Sequence, residues 1–119
     1  LNDPNKFYAT FIAKLNKIIM KLVVLYPQPK DVQKFNSDYN EHILFLNKKL
    51  NIPADMTAYE VTDFVSGPFG EPAYYKMWVM PFDSQEALNA ALSTPEFQAV
   101  AADANRISNG GAPTLMIGA

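Results

Sequence analysis

Ile18-Ile19-Met20-Lys21-Leu22-Val23-Val24-Leu25-Tyr26 is the stretch whose reading decides the fold. It is rich in β-branched residues, and only Lys21 interrupts its apolar character. Such a run predicts a strand without the usual polar alternation. A strand that is apolar on both faces is covered on both faces. Pro27 and Pro29 close it, because proline cannot continue a ladder of hydrogen bonds.

Downstream, Asp31 opens a helix that runs to about Leu50. Val32, Phe35, Tyr39, Ile43, Leu46 and Leu50 recur at spacings of 3, 4, 4, 3 and 4, which is one helical stripe. Pro53 ends the segment. Residues 56–65 and 73–82 predict two strands joined by Ser66-Gly67-Pro68-Phe69-Gly70-Glu71-Pro72, a run dense in turn formers. Asp83 and Glu86 have the spacing of a capping box and start a further helix. Thr94-Pro95 restarts it, with proline at a first helical position. Phe97, Val100, Ala101, Ala104 and Ile107 extend its apolar stripe. Asn109-Gly110-Gly111 makes a turn into a last strand, Thr114 to Ile117.

The order β-α-β-β-α-β is the split βαβ, or ferredoxin-like, arrangement of the α+β class. Two helical segments cover one face of a four-stranded antiparallel sheet. The first strand offers no polar side to the other face. The expected cover is a second copy of the same sheet, which makes a homodimer. Residues 1–17 are expected to form a helical extension outside the 18–119 domain. Asp3-Pro4 is a helix start there, and Phe7, Tyr8, Phe11, Ile12 and Leu15 lie on one face.

The remaining composition removes whole classes of function. The chain has 119 residues, which suits one domain. Lys plus Arg number 10 against 12 Asp plus Glu, a net charge of −2, and Arg106 is the only arginine. That balance lacks the basic footprint of a nucleic-acid binder. The chain has no cysteine, so disulfides, thiolate metal sites and cysteine nucleophiles are out. No apolar run approaches the ~20 residues of a membrane span. The expectation is a cytoplasmic protein with no membrane or nucleic-acid partner.

Lys21-Leu22-Val23-Val24-Leu25-Tyr26-Pro27-Gln28-Pro29, followed by Asp31, Phe35, Tyr39 and His42, resembles the opening of EthD-type domains. The Tyr74-Tyr75 strand, Phe82-Asp83-Ser84 and Asn109-Gly110-Gly111 extend the likeness from about Met20 to Gly118. The resemblance implies a dimeric α+β barrel. It also implies a tie to oxidoreductase activity through a bacterial ether-degradation gene cluster. Relatives with this barrel include quinone-forming monooxygenases, haem-degrading enzymes, polyketide cyclases and muconolactone isomerases. The chain departs from the pattern at Leu44, where the family usually carries proline two residues after the helix histidine.

His42 is the only histidine. It lies about 60° from the centre of the helix stripe, at the margin of the inner face. An imidazole there can serve general acid–base chemistry near neutral pH, with Tyr39 orienting an oxygen. The plainer alternative is a half-buried histidine bonded to backbone or to a neighbour such as Asp38. Tyr26, Phe35, Tyr75, Met77, Trp78 and Phe97 are candidates for the wall of an apolar pocket. Strand parity separates Tyr75, Met77 and Val79 from Tyr74, Lys76, Trp78 and Met80, without saying which set faces the helices. No metal spacing and no phosphate-binding loop is present, so no cofactor is expected. Taken with these residues, the EthD resemblance implies a cofactor-independent oxidoreductase, cyclase or isomerase acting on a small apolar oxygenated compound. The competing reading is a non-catalytic module that binds a small ligand.

Overall fold

A computed structural model describes residues 19–119. The expected helix in residues 1–17 lies outside the described residues. Strand β1 is Met20–Pro27, β2 is Glu60–Asp63, β3 is Tyr74–Phe82 and β4 is Thr114–Gly118. Helix α1 is Val32–Lys49, α2 is Gln85–Leu92 and α3 is Pro95–Ile107. The strands form one antiparallel sheet in the order β2-β3-β1-β4. This is the ferredoxin-like arrangement, with β1 at the centre and the second helical segment divided at Ser93-Thr94.

Register settles the question that parity left open. Leu22, Val24 and Tyr26 are buried, and they pair with Met80, Trp78 and Lys76 across β3. Directly opposed residues share a face, so this set faces the helices. Lys21, Val23 and Leu25 pair with Pro81, Val79 and Met77 on the opposite face. Tyr75 departs from simple parity beside the register irregularity at Tyr26 and Pro27. Its ring lies 5.6 Å from that of Phe35 on α1.

Helix α1 begins at Asp31, whose side chain accepts a hydrogen bond from the Lys34 amide at 3.0 Å. It runs unbroken through Leu44, which is exposed. Its buried residues are Phe35, Tyr39, His42 and Leu46, whereas Val32 is 45% exposed. The inner face is thereby rotated toward His42 relative to the stripe read from sequence. The histidine sits about 30° from its centre, not at its margin. Asn51, in the left-handed region at φ 54°, turns the chain out of the helix.

Two local readings are corrected. Helix α2 is capped by Ser84, which accepts from the Ala87 amide at 3.0 Å, and not by the Asp83–Glu86 box. Serine one residue later brings its oxygen to the N3 amide, so the helix starts there. Strand β2 covers only Glu60–Asp63 of the expected 56–65. Tyr59 turns inward before it, donating to Asn47 Oδ1 at 2.7 Å and packing against Trp78.

Candidate active site in the helix–sheet interior

The core is built from Leu22, Val24, Tyr26, Phe35, Tyr39, Leu46, Trp78, Leu88, Phe97, Val100, Ala104 and Ile107. Among these lies His42, the one buried residue outside the hydrophobic set among the described residues, at 2% exposure. Burying an imidazole without a partner is costly. Its partner comes from α3: His42 Nδ1 and Asp103 Oδ2 are 2.7 Å apart. The other carboxylate oxygen, Asp103 Oδ1, accepts from Arg106 Nε at 2.8 Å. Asp38, the partner considered from sequence, is instead paired with Lys34 at 3.0 Å.

The Asp103 carboxyl is subject to opposing influences. Burial pushes its pKa up, but the hydrogen bonds from His42 and Arg106 and the Arg106 charge outweigh it, so the pKa falls below the usual carboxylate value. Asp103 is therefore ionised at neutral pH and can only accept. The proton on the shared bond must sit on His42 Nδ1. In neutral His42 the lone pair is then on Nε2, the tautomer of a general base.

His42 borders a small cavity of about 40 Å³. Tyr26, Trp78 and Phe97, three of the expected pocket residues, also line it. Leu22, Val24, Leu46, Leu92, Val100 and Leu115 complete most of an apolar wall. Leu115 and Ala101 are exposed, so the cavity meets the surface between α3 and the edge strand β4. A larger hollow of about 230 Å³ lies where the starts of β1 and β2 meet the end of β3, and it shares no residue with the His42 cavity. It is more open, and its polar side chains are those of Lys21, Thr57, Tyr59 and Glu60, with no histidine among them. The chemistry of the smaller cavity outweighs its size.

The other expected residues are placed around this centre. The Tyr39 ring lies 6.2 Å from that of His42 and 6.0 Å from that of Tyr26, with Lys76 Nζ 4.0 Å from its centroid. Burial, and secondarily the nearby Tyr26, Tyr59 and Asp63, push the Tyr39 phenol well above its ordinary range. Burial and then Asp103 do the same to Tyr26. Both phenols stay protonated and can donate, but neither serves as a base. Phe35 is fully buried between Tyr26 and Tyr75 and is not part of the cavity wall. Tyr75 donates to Asn36 Oδ1 at 3.0 Å. Met77 stands in register with Leu25 and Thr62, on the face away from His42. Among the described residues no three His, Cys, Asp or Glu side chains gather as a metal site.

Asp103 is the residue that sequence reading missed. A signal existed: it lies about 80° from the centre of the Phe97-Val100-Ala104-Ile107 stripe, at the margin of the α3 inner face. Two polar residues at the margins of two packed helices are natural partners. Their pairing depends on how α1 and α3 pack, which spans 61 positions of sequence.

No protein-family model matches the chain, and no curated protein does. Solved structures do. An EthD-like protein from Ralstonia eutropha JMP134 is 22% identical, with a TM-score of 0.58 over 84% of this chain and 89% of that one. A dimeric ferredoxin-like protein of unknown function from Jannaschia sp. CCS1 is 12% identical, with a TM-score of 0.64 over 86% and 99% of the two chains. These two establish the fold. An ethyl tert-butyl ether D (EthD) family protein from Bacillus halodurans C-125 is 35% identical, with a TM-score of 0.71 over 86% of this chain and 98% of that one. At that identity, across nearly the whole of the relative, the chain belongs to the EthD family.

Proposed function

We propose that this chain is a small enzyme that moves a proton on an apolar, oxygenated molecule held beside His42, with no bound cofactor. The observation that carries the reading is the His42–Asp103 pair at 2.7 Å, set into the wall of an otherwise apolar cavity. His42 Nε2 is the base. Asp103 is a positioning residue that fixes the tautomer and stabilises the imidazolium once the proton has been taken. Arg106 keeps the carboxylate ionised from the protein surface. Tyr39 supports the ring from within its own helix. Proton removal from carbon or oxygen is the common first step of enol isomerisation, cyclisation and oxidation by dioxygen without a cofactor, so one site serves each of these reactions.

A homodimer completes the proposal. The sheet face opposite the helices carries Val23, Leu25, Met77, Val79 and Met116, and similar ferredoxin-like structures are described as dimeric.

The test is deuterium wash-in from D2O into a panel of small enolisable ketones, followed by mass spectrometry. His42→Gln, which keeps much of the side-chain volume, and His42→Ala should remain folded by circular dichroism. Both should lose about 100- to 10,000-fold in exchange rate. Full exchange in either folded variant would overturn the assignment. Binding without any exchange in the native protein would favour the non-catalytic ligand-binding module.

A further inference from the structure

The His42 cavity is smaller than the molecules on which the proposed chemistry would act. Apolar cavities that take up benzene measure about 150 Å³, whereas this one measures about 40 Å³. At about 25 Å³ per heavy atom on that scale, it seats two or three heavy atoms. A substrate that reaches His42 therefore puts only one end inside.

The lining shows where the rest must lie. Ala101 and Leu115 are its two exposed residues, so the cavity opens between α3 and β4. Leu115 stands opposite Val24, and Ile117 opposite Leu22. Directly opposed residues share a face, so both lie on the helix side of the sheet. Val24 and Leu22 are buried there, but Leu115 is 49% and Ile117 46% exposed. The helical layer thus stops short of the edge strand. Leu115 and Ile117, about 7 Å apart along β4, make an apolar shelf that begins at the cavity mouth. Ala101 keeps the mouth clear, since its side chain ends at Cβ. The proposed dimer would cover the other face, which carries Met116, and so leaves this shelf open.

We infer that the shelf is a ligand subsite, and that the substrate is an open-chain methyl ketone with an unbranched apolar tail. This inference rests on the proposed role of His42 and names what that residue acts upon. The acetyl end has three heavy atoms and enters the cavity. The tail crosses the rim at Ala101 and lies along Leu115 and Ile117. His42 takes a proton from the methyl carbon. The C–H electron pair becomes the C=C bond of the enolate, and the C=O π pair moves to oxygen. Return of a proton from the imidazole to the same carbon restores the ketone, so the step needs no oxidant or reductant. A ketone with bulk on both sides of its carbonyl has no narrow end to insert.

Trp78, the only tryptophan, lines the cavity, so its fluorescence reports occupancy separately from turnover. Butan-2-one, hexan-2-one, octan-2-one and the cage ketone 2-adamantanone are titrated against it. Affinity should rise about 2-fold for each added methylene, as for a chain buried on one side only. The cage ketone should give no saturable change. Leu115→Ser and Ile117→Ser, checked for folding by circular dichroism, should each lower the ratio of octan-2-one to butan-2-one affinity by at least about 3-fold. Ala101→Phe should block binding of the whole series. His42→Gln should keep the chain-length dependence while abolishing deuterium wash-in at the methyl group. Affinity independent of chain length, or 2-adamantanone binding as well as octan-2-one, would overturn the inference. So would an unchanged ratio in both serine variants, which would mean that something other than the ligand, such as a second copy of the chain, covers the edge. Chain-length dependence without deuterium exchange in the native protein supports the subsite and refutes proton transfer by His42. Exchange without chain-length dependence refutes the subsite and leaves the role of His42 standing.

Discussion

At the residue scale the site depends on which atom of Asp103 meets which neighbour. Arg106 Nε donates to Oδ1, so that atom must accept. In the Asp103→Asn variant the amide oxygen takes the Arg106 side, and the NH2 group then faces His42. A donor against Nδ1 forces the ring proton to Nε2 and removes the base. Exchange activity should fall at least ~100-fold while the fold survives. Asp103→Ala, which imposes no tautomer, should retain more activity than Asp103→Asn, and the ratio of the two measures this effect. The same carboxylate gives a pH signature. Its pKa is depressed in the folded protein, so its stabilising contribution is fully present above the unfolded value of about 4. That contribution disappears as the pH falls through the folded pKa. Thermal melts should show Asp103→Asn less stable than the native chain by about 1–2 kcal/mol at neutral pH, since the pair keeps some contact with water. The gap should close below about pH 4. A gap independent of pH would show that the His42–Asp103 bond does not draw on the carboxylate charge. His42 was legible in the sequence because it is the one histidine on an apolar face. Asp103 was not, because nothing local distinguishes it from a solvated helix carboxylate.

At the scale of elements, periodicity located the strands and helices, and short-range chemistry decided their ends. Asp31 and Thr94 cap where the sequence places caps, whereas at α2 two candidates stood side by side and backbone geometry chose Ser84. The turn into β4 shows what a local reading cannot supply. Asn109 donates to the Asp31 carbonyl at 2.9 Å and accepts from the Asp31 amide at 3.0 Å, so it clamps the start of α1 from 78 residues away. Gly110 packs so closely on Gln28 that an added Cβ would collide with the Gln28 carbonyl oxygen. The glycine is required by this approach of two backbones. Gly110→Ala should therefore cost about 1–3 kcal/mol, the range of an overpacked interior, by chemical denaturation. A melt unchanged from the native protein would mean that the turn moves freely away from β1 and that the clamp contributes nothing.

At the scale of the whole molecule, the composition of β1 led directly to the sheet's second face. The helices bury Leu22, Val24 and Tyr26, and the other side of the strand still presents Val23 and Leu25. Across the sheet that face continues through Met77 and Val79 on β3 and Met116 on β4, the last 46% exposed. Contiguous apolar patches of this kind are rare on monomers. A two-fold axis would lay the face of one copy on the face of another, so that each strand residue meets its own kind or a close neighbour. Charge placed at the centre of that face must leave water when a second copy covers it, which is expensive even with Lys21 two residues along the same face. Val23→Glu lies at the middle of the central strand on the face away from His42, so it leaves the cavity wall untouched. Sedimentation at micromolar concentration should show the native chain as a dimer and Val23→Glu as a monomer with retained secondary structure. If the native chain sediments as a monomer, the face is simply solvated. If Val23→Glu remains a dimer, the two copies associate through another surface, and the exposed edge strand β4 becomes the place to look.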